Sequence, residues 1–154
     1  MQYHLYTKGY YLSDIGVGIC AYIVTDEDNK VLAREAITYN MPYSSQHEME
    51  LMAVTAAENF LFEYDNKYNV YQDVVEACIH SDSTCAMNIL SGQWKAKQID
   101  ASKILESHEF YTKGFLVSFK YTNKDKSKFY KSVIDMVKQA CKKAENKAKY
   151  EDLY

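Results

Sequence analysis

A single proline, Pro42, and five glycines punctuate 154 residues. That is too few for a collagen-like, linker-like or low-complexity chain. No apolar run reaches the roughly 18 residues of a membrane span; the longest, Ile15 to Val24, contains two glycines and reads as a strand. Met1-Gln2-Tyr3-His4 lacks the basic and apolar regions of a signal peptide, so a soluble cytoplasmic protein is expected. The four cysteines, Cys20, Cys78, Cys85 and Cys141, lie far apart and follow no metal-ligand spacing, which favours reduced, mostly buried thiols over disulfides. His4, His47, His80 and His108 show no ligand spacing either, and none is assigned to a metal.

What is present suits one globular domain. A 47% hydrophobic and 25% charged composition can bury a full core, and one domain is expected over residues 1–149, with 150–154 as a short tail. The net charge of −3 hides an asymmetry. Residues 1–94 carry 4 Lys+Arg against 13 Asp+Glu, whereas residues 95–149 carry 14 Lys against 6 Asp+Glu. A basic last third on an acidic body suits a polyanion such as phosphate, and equally suits a solvated helix face.

Periodicity divides the chain into elements. Gln2–Lys8 alternates, Ile15–Thr25 is apolar and β-branched, and Lys30–Tyr39 is extended beyond the turn Asp26-Glu27-Asp28-Asn29. Together these predict an antiparallel meander. Ser45 with Glu48 three residues later predicts a capped helix start, and Ala53, Ala57, Phe60 and Leu61 give that helix an apolar stripe. A short buried strand over Asp73–His80, a helix from Ser81-Asp82-Ser83 to Ser91-Gly92, and a helix over Asp100–His108 follow. A strand over Phe115–Tyr121 and a long lysine-rich helix from Ser127 to about Ala148 complete the order β-β-β-α-β-α-α-β-α. The fold class is α/β, a mixed five-stranded sheet flanked by helices.

Three carboxylates stand at unusual positions. Glu50 lies one turn before Ala53 on the apolar stripe, Asp82 follows a strand that reads as central, and Asp135 sits between Ile134 and Met136 in the last helix. Each alone has an ordinary reading: Asp82 as a helix N-cap, Glu50 and Asp135 as solvent-facing rim residues. Converging from different elements on one sheet end, they would repel one another unless a cation sat among them, and Mg²⁺ held by carboxylates suits phosphoryl chemistry.

At these residues the chain resembles type 1 ribonuclease H and the wider ribonuclease H-like group. Tyr6-Thr7-Lys8-Gly9 resembles the opening Y-T-D-G, and Ile15-Gly16-Val17-Gly18 with Ala21-Tyr22 resembles the glycine-containing second strand. Gln46-His47-Glu48-Met49-Glu50-Leu51-Met52-Ala53 is similar to N-N-x-M-E-L-x-A, and Ser81-Asp82-Ser83 to T-D-S. Asn88 to Lys95, through Gly92 and Trp94, resembles the loop of glycine, aromatic and basic residues, and Asp135-Met136-Val137 with Ala140 and Ala144 resembles D-x-L-A-x-x-A. The resemblance spans nearly the whole chain. It implies a ribonuclease H-like sheet and a two-metal carboxylate site, using Mg²⁺ or Mn²⁺, that cleaves the RNA strand of RNA–DNA hybrids. Glu50, Asp82 and Asp135 match three of its catalytic and metal-holding carboxylates.

Lys8 stands where the resemblance implies the fourth. An ammonium there can pair with Glu50 and Asp82 and satisfy them with no metal cofactor. The segment Thr122-Asn123-Lys124-Asp125-Lys126 also lacks the histidine the family often carries before its last helix, and Gln46 and His47 replace two substrate-contacting asparagines. Candidate nucleic-acid contacts are Gln46, His47, Ser83, Trp94, Lys95 and Lys97, the last three forming an apolar plate flanked by ammoniums. A tryptophan at the core edge with solvated lysines reads equally well from the residues alone. Three functions follow from these readings: a hybrid-binding protein with cleavage weakened or lost, a working nuclease with a rearranged site, and a protein-interaction or architectural module that keeps only the fold.

Overall fold

A computed structural model describes residues 1–69, 74–93 and 101–152. The chain runs β1 (Gln2–Leu12), β2 (Val17–Thr25), β3 (Val31–Asn40), α1 (Gln46–Tyr68), β4 (Val75–Ser81), α2 (Thr84–Leu90), α3 (Ser102–Thr112), β5 (Phe115–Tyr121) and α4 (Lys128–Asp152). The order matches the one read from the sequence. α4 runs to Asp152, past the boundary at residue 149 that the sequence suggested for a tail.

The five strands lie in the order β3-β2-β1-β4-β5. β1 pairs antiparallel with β2 and parallel with β4; β2–β3 is antiparallel and β4–β5 parallel. The first three strands follow one another through short connections, as a meander requires, while the parallel β1–β4 pair needs a crossover, which α1 supplies.

Side chains alternate across β1, so the sheet has two covered faces. Leu5 packs with Leu51, Val54 and Leu61 of α1 and with Ala86, Ile89 and Leu90 of α2. Tyr6 faces the other way and packs with Tyr130, Val133 and Val137 of α4. Ser45 caps α1 by accepting the Glu48 N–H at 3.2 Å, while the Glu48 carboxylate accepts from Ser44 Oγ at 2.8 Å and so stiffens the entry to the helix.

Gly9 lets α1 approach. A β-carbon built there would collide with the backbone carbonyl of Met49, so the first turns of α1 rest directly on the β1 main chain. That close approach brings Glu50 to the sheet. Among the described residues no helix is long and apolar enough to cross a membrane.

Candidate active site where two strands part

The β1–β4 ladder ends at Tyr6↔His80. Beyond it the two strands separate, and the gap receives side chains from β1, α1, the β4–α2 turn and α4. Tyr130 of α4 fills its floor. Its hydroxyl donates to the Thr7 carbonyl at 2.9 Å and accepts the Asp82 N–H at 3.0 Å, supplying the missing rung. Burial, with the nearby Asp82 carboxylate, pushes the phenol far above its ordinary value, so it stays a neutral donor.

Ser83, not Asp82, caps α2: its hydroxyl accepts the Ala86 N–H at 3.1 Å. This corrects the N-cap reading of Asp82 and leaves that carboxylate free to face the gap. Lys8 fills the space between the acids. Its Nζ donates to Glu50 Oε1 at 2.7 Å and to Asp82 Oδ1 and Oδ2 at 3.0 and 3.3 Å. The side chains of Lys8, Glu50 and Asp82 are 16%, 4% and 26% exposed, so water screens the ion pairs only partly.

Glu50 is satisfied at both oxygens. Oε2 accepts the Gly9 N–H at 3.0 Å, and Oε1 also accepts from Gln46 Nε2 at 2.9 Å. Gln46 further donates to the Gly9 carbonyl at 2.8 Å and accepts the Tyr11 N–H at 2.9 Å. Both amide protons are thereby spent on the protein, tying α1 to β1.

Two electrostatic effects oppose each other here. Burial works against the Lys8 ammonium, but Glu50 and Asp82 outweigh it and hold Lys8 above its ordinary value. Burial pushes Glu50 up, against the pull of Lys8 and the Gly9 N–H. The Lys8 direction is the one that describes the site, because two carboxylates converge on one ammonium that has no competing cationic neighbour among its hydrogen-bonded partners.

The other sequence-derived candidates are placed as follows. Asp135 is exposed on α4, about 200° around the helix from both Val133 and Val137, which face the sheet. Among the described residues it makes no hydrogen bond or ion pair with Lys8, Glu50 or Asp82. His47 is exposed at the start of α1, and Ser83 is half-buried. Trp94, Lys95 and Lys97 lie outside the described residues.

The donor set does not fit a pair of divalent ions. Among the described residues the gap holds two carboxylates, not four, and an ammonium already stands within hydrogen-bonding distance of both. Two carboxylates share one lysine, which holds them together as a polar plug and offsets one of their two charges.

No protein-family model matches the chain, and no curated protein sequence matches it significantly. Solved structures do. The N-terminal RNase H domain of rv2228c from Mycobacterium tuberculosis superposes with a TM-score of 0.70 at 16% identity, covering 86% of this chain and 95% of that one. RNase H1 from the halophilic archaeon Halobacterium salinarum gives 0.67 at 16% identity over 86% and 94% of the two chains. LC11-RNase H1, isolated from compost and solved in complex with an RNA/DNA hybrid, gives 0.69 at 14% identity over 90% and 99%. The chain therefore has the ribonuclease H-like fold, with its sheet order and flanking helices nearly complete.

Proposed function

We propose that this protein is a ribonuclease H-like binder of RNA–DNA hybrid or a related duplex in which hydrolysis has been silenced at Lys8. The observation that carries the reading is the position of the Lys8 ammonium, 2.7 Å from Glu50 and 3.0 Å from Asp82. A cation that is part of the chain bridges the two acids and offsets one of their charges, so neither Mg²⁺ nor Mn²⁺ is needed to hold them together. Hybrid as the ligand is supported by the fold, by the hybrid bound to LC11-RNase H1, and by the lysines of the last third of the chain. His47, Ser83, Trp94, Lys95 and Lys97 are the proposed contacts. Glu50 and Asp82 are the proposed remnant of a catalytic set; Asp135, proposed with them from its place in the sequence, lies on the exposed side of α4.

The test is a titration with labelled RNA–DNA hybrid, followed by incubation of the same complex with millimolar Mg²⁺ or Mn²⁺. Salt-dependent binding without cleavage is expected. Metal-dependent cleavage by the unaltered protein would establish a working nuclease with a rearranged site. Absence of binding at low salt would leave a protein-interaction or architectural module.

A further inference from the structure

Parallel pairing of β1 with β4 places His4 beside Cys78, and Tyr6 beside His80. His4, Cys78 and His80 share one sheet face, because residues two apart on a strand point the same way. One donor atom from each of the three lies within 4.8 Å of the other two. Cys78 and His80 are buried and His4 is half-buried, so the cluster opens to solvent on the His4 side. Four residues of strand, about 13 Å at ~3.3 Å each, separate His4 from Lys8. The cluster is thus a different place from the carboxylate gap.

We propose that His4, Cys78 and His80 form a binding site for a zinc-class divalent ion, with three protein donors and a fourth position open to water. Two imidazoles and a thiolate are the donors such an ion prefers over carboxylate-rich surroundings. Donors around a tetrahedral zinc lie about 3.3–3.8 Å apart, from bond lengths of ~2.0–2.3 Å, so only small rotations close the triangle. His4 Nδ1 and His80 Nε2 stand 2.9 Å apart, one donating to the other. Metal binding needs a lone pair on both. Each ring keeps its single proton on its far nitrogen, His4 Nε2 and His80 Nδ1, while the Cys78 thiol releases one proton to solvent.

The surroundings fix the donors in place. The Tyr6 ring stacks on His80 with centroids 4.4 Å apart and planes 16° apart, which holds the plane of the imidazole. The ion would cross-link β1 to β4, the pair on which the sheet's centre depends. Lys120, opposite His80 on β5, is exposed and opposes cation binding from the rim.

The test uses the full chain, stripped with chelator and titrated with Co²⁺, then Zn²⁺. One Co²⁺ per chain is expected, with visible bands of tetrahedral cobalt and a near-ultraviolet thiolate-to-cobalt band, both displaced by Zn²⁺. Excess Mg²⁺ should leave the spectrum unchanged. Cys78→Ser should abolish the thiolate band, His4→Gln should weaken binding at least tenfold, and Lys120→Ala should tighten it severalfold. His4→Gln, at the half-exposed position, carries the test if Cys78→Ser fails to fold. Absence of the band in the parent protein, its persistence in Cys78→Ser, unchanged affinity in His4→Gln, or displacement by Mg²⁺ would each overturn the proposal.

Discussion

The hydroxyl of Tyr130 accepts the backbone N–H of Asp82 at 3.0 Å, and through that bond a residue of the last helix determines where the β4–α2 turn sits. The same oxygen donates to Thr7, one residue before Lys8. Ladder bonds that would have closed the gap are replaced by one phenol, which keeps the strands apart and gives Lys8 room to reach both acids.

Tyr130→Phe removes that rung while keeping the ring in its pocket. It leaves a backbone donor and a backbone acceptor without their partner, which should cost about 1–3 kcal/mol. Urea unfolding of the two proteins measures the difference. Equal stability would mean that water enters and bridges Thr7 to Asp82, so that the phenol is not the only possible spacer.

Gly9→Ala tests the seating of α1. The added methyl meets the Met49 carbonyl, which is backbone and cannot swing away. Overpacking of this kind costs about 1–3 kcal/mol and sometimes more. It should also pull Glu50 away from the Gly9 N–H and weaken its grip on Lys8. A stability loss no larger than a surface alanine gives would show that α1 tolerates a different seating.

Glu50 and Asp82 were legible because carboxylates on an apolar stripe and after a central strand conflict with burial, and Lys8 because the resemblance implies a carboxylate at its position. The role of Tyr130 was not. It is one of 15 tyrosines, and nothing local marks the phenol whose oxygen replaces a backbone partner; only its spacing of three and seven from Val133 and Val137 puts it on the buried face. Asp135 illustrates the opposite error of emphasis. Apolar neighbours in sequence suggested a place near the core, but helical phase turns it outward. The His4, Cys78 and His80 cluster was invisible to ligand spacing, since its third member arrives through a parallel pairing between residues more than 70 positions apart.

A second buried polar pair makes a pH prediction. His108 Nδ1 of α3 lies 2.9 and 2.7 Å from the two Glu58 oxygens of α1. Burial raises Glu58 above 4.5, against the opposing pull of His108. A raised folded-state value means its contribution is fully present below 4.5 and is lost as pH rises through the raised value. Glu58→Gln has no such loss, so its melting temperature relative to the parent should improve as pH rises from 4.5 through the raised value. A difference that stays flat as pH rises above 4.5 would remove Glu58 as the source of the dependence.

Lys8→Asp asks whether the ammonium stands in for a metal ion. The substitution removes the cation 2.7 Å from Glu50 and adds a third carboxylate to the gap. Without divalent ions the variant should be less stable than the parent by about 1–4 kcal/mol, the range for stranding partly buried charges, with protonation of one acid limiting the loss. Millimolar Mg²⁺ should restore much of it, because an ion that binds only the folded form raises stability by mass action. The parent, whose acids Lys8 already bridges, should show almost no Mg²⁺ response. Lys8→Met separates the two effects: it loses the ammonium and gains no ligand, so it should be destabilised yet respond to Mg²⁺ less than the aspartate variant. Melting curves of the three proteins with and without Mg²⁺, beside a hybrid cleavage time course, decide the matter. A parent that gains as much from Mg²⁺ as Lys8→Asp does would show that the lysine leaves the cation's place open, and the silencing would then have to come from elsewhere in the gap.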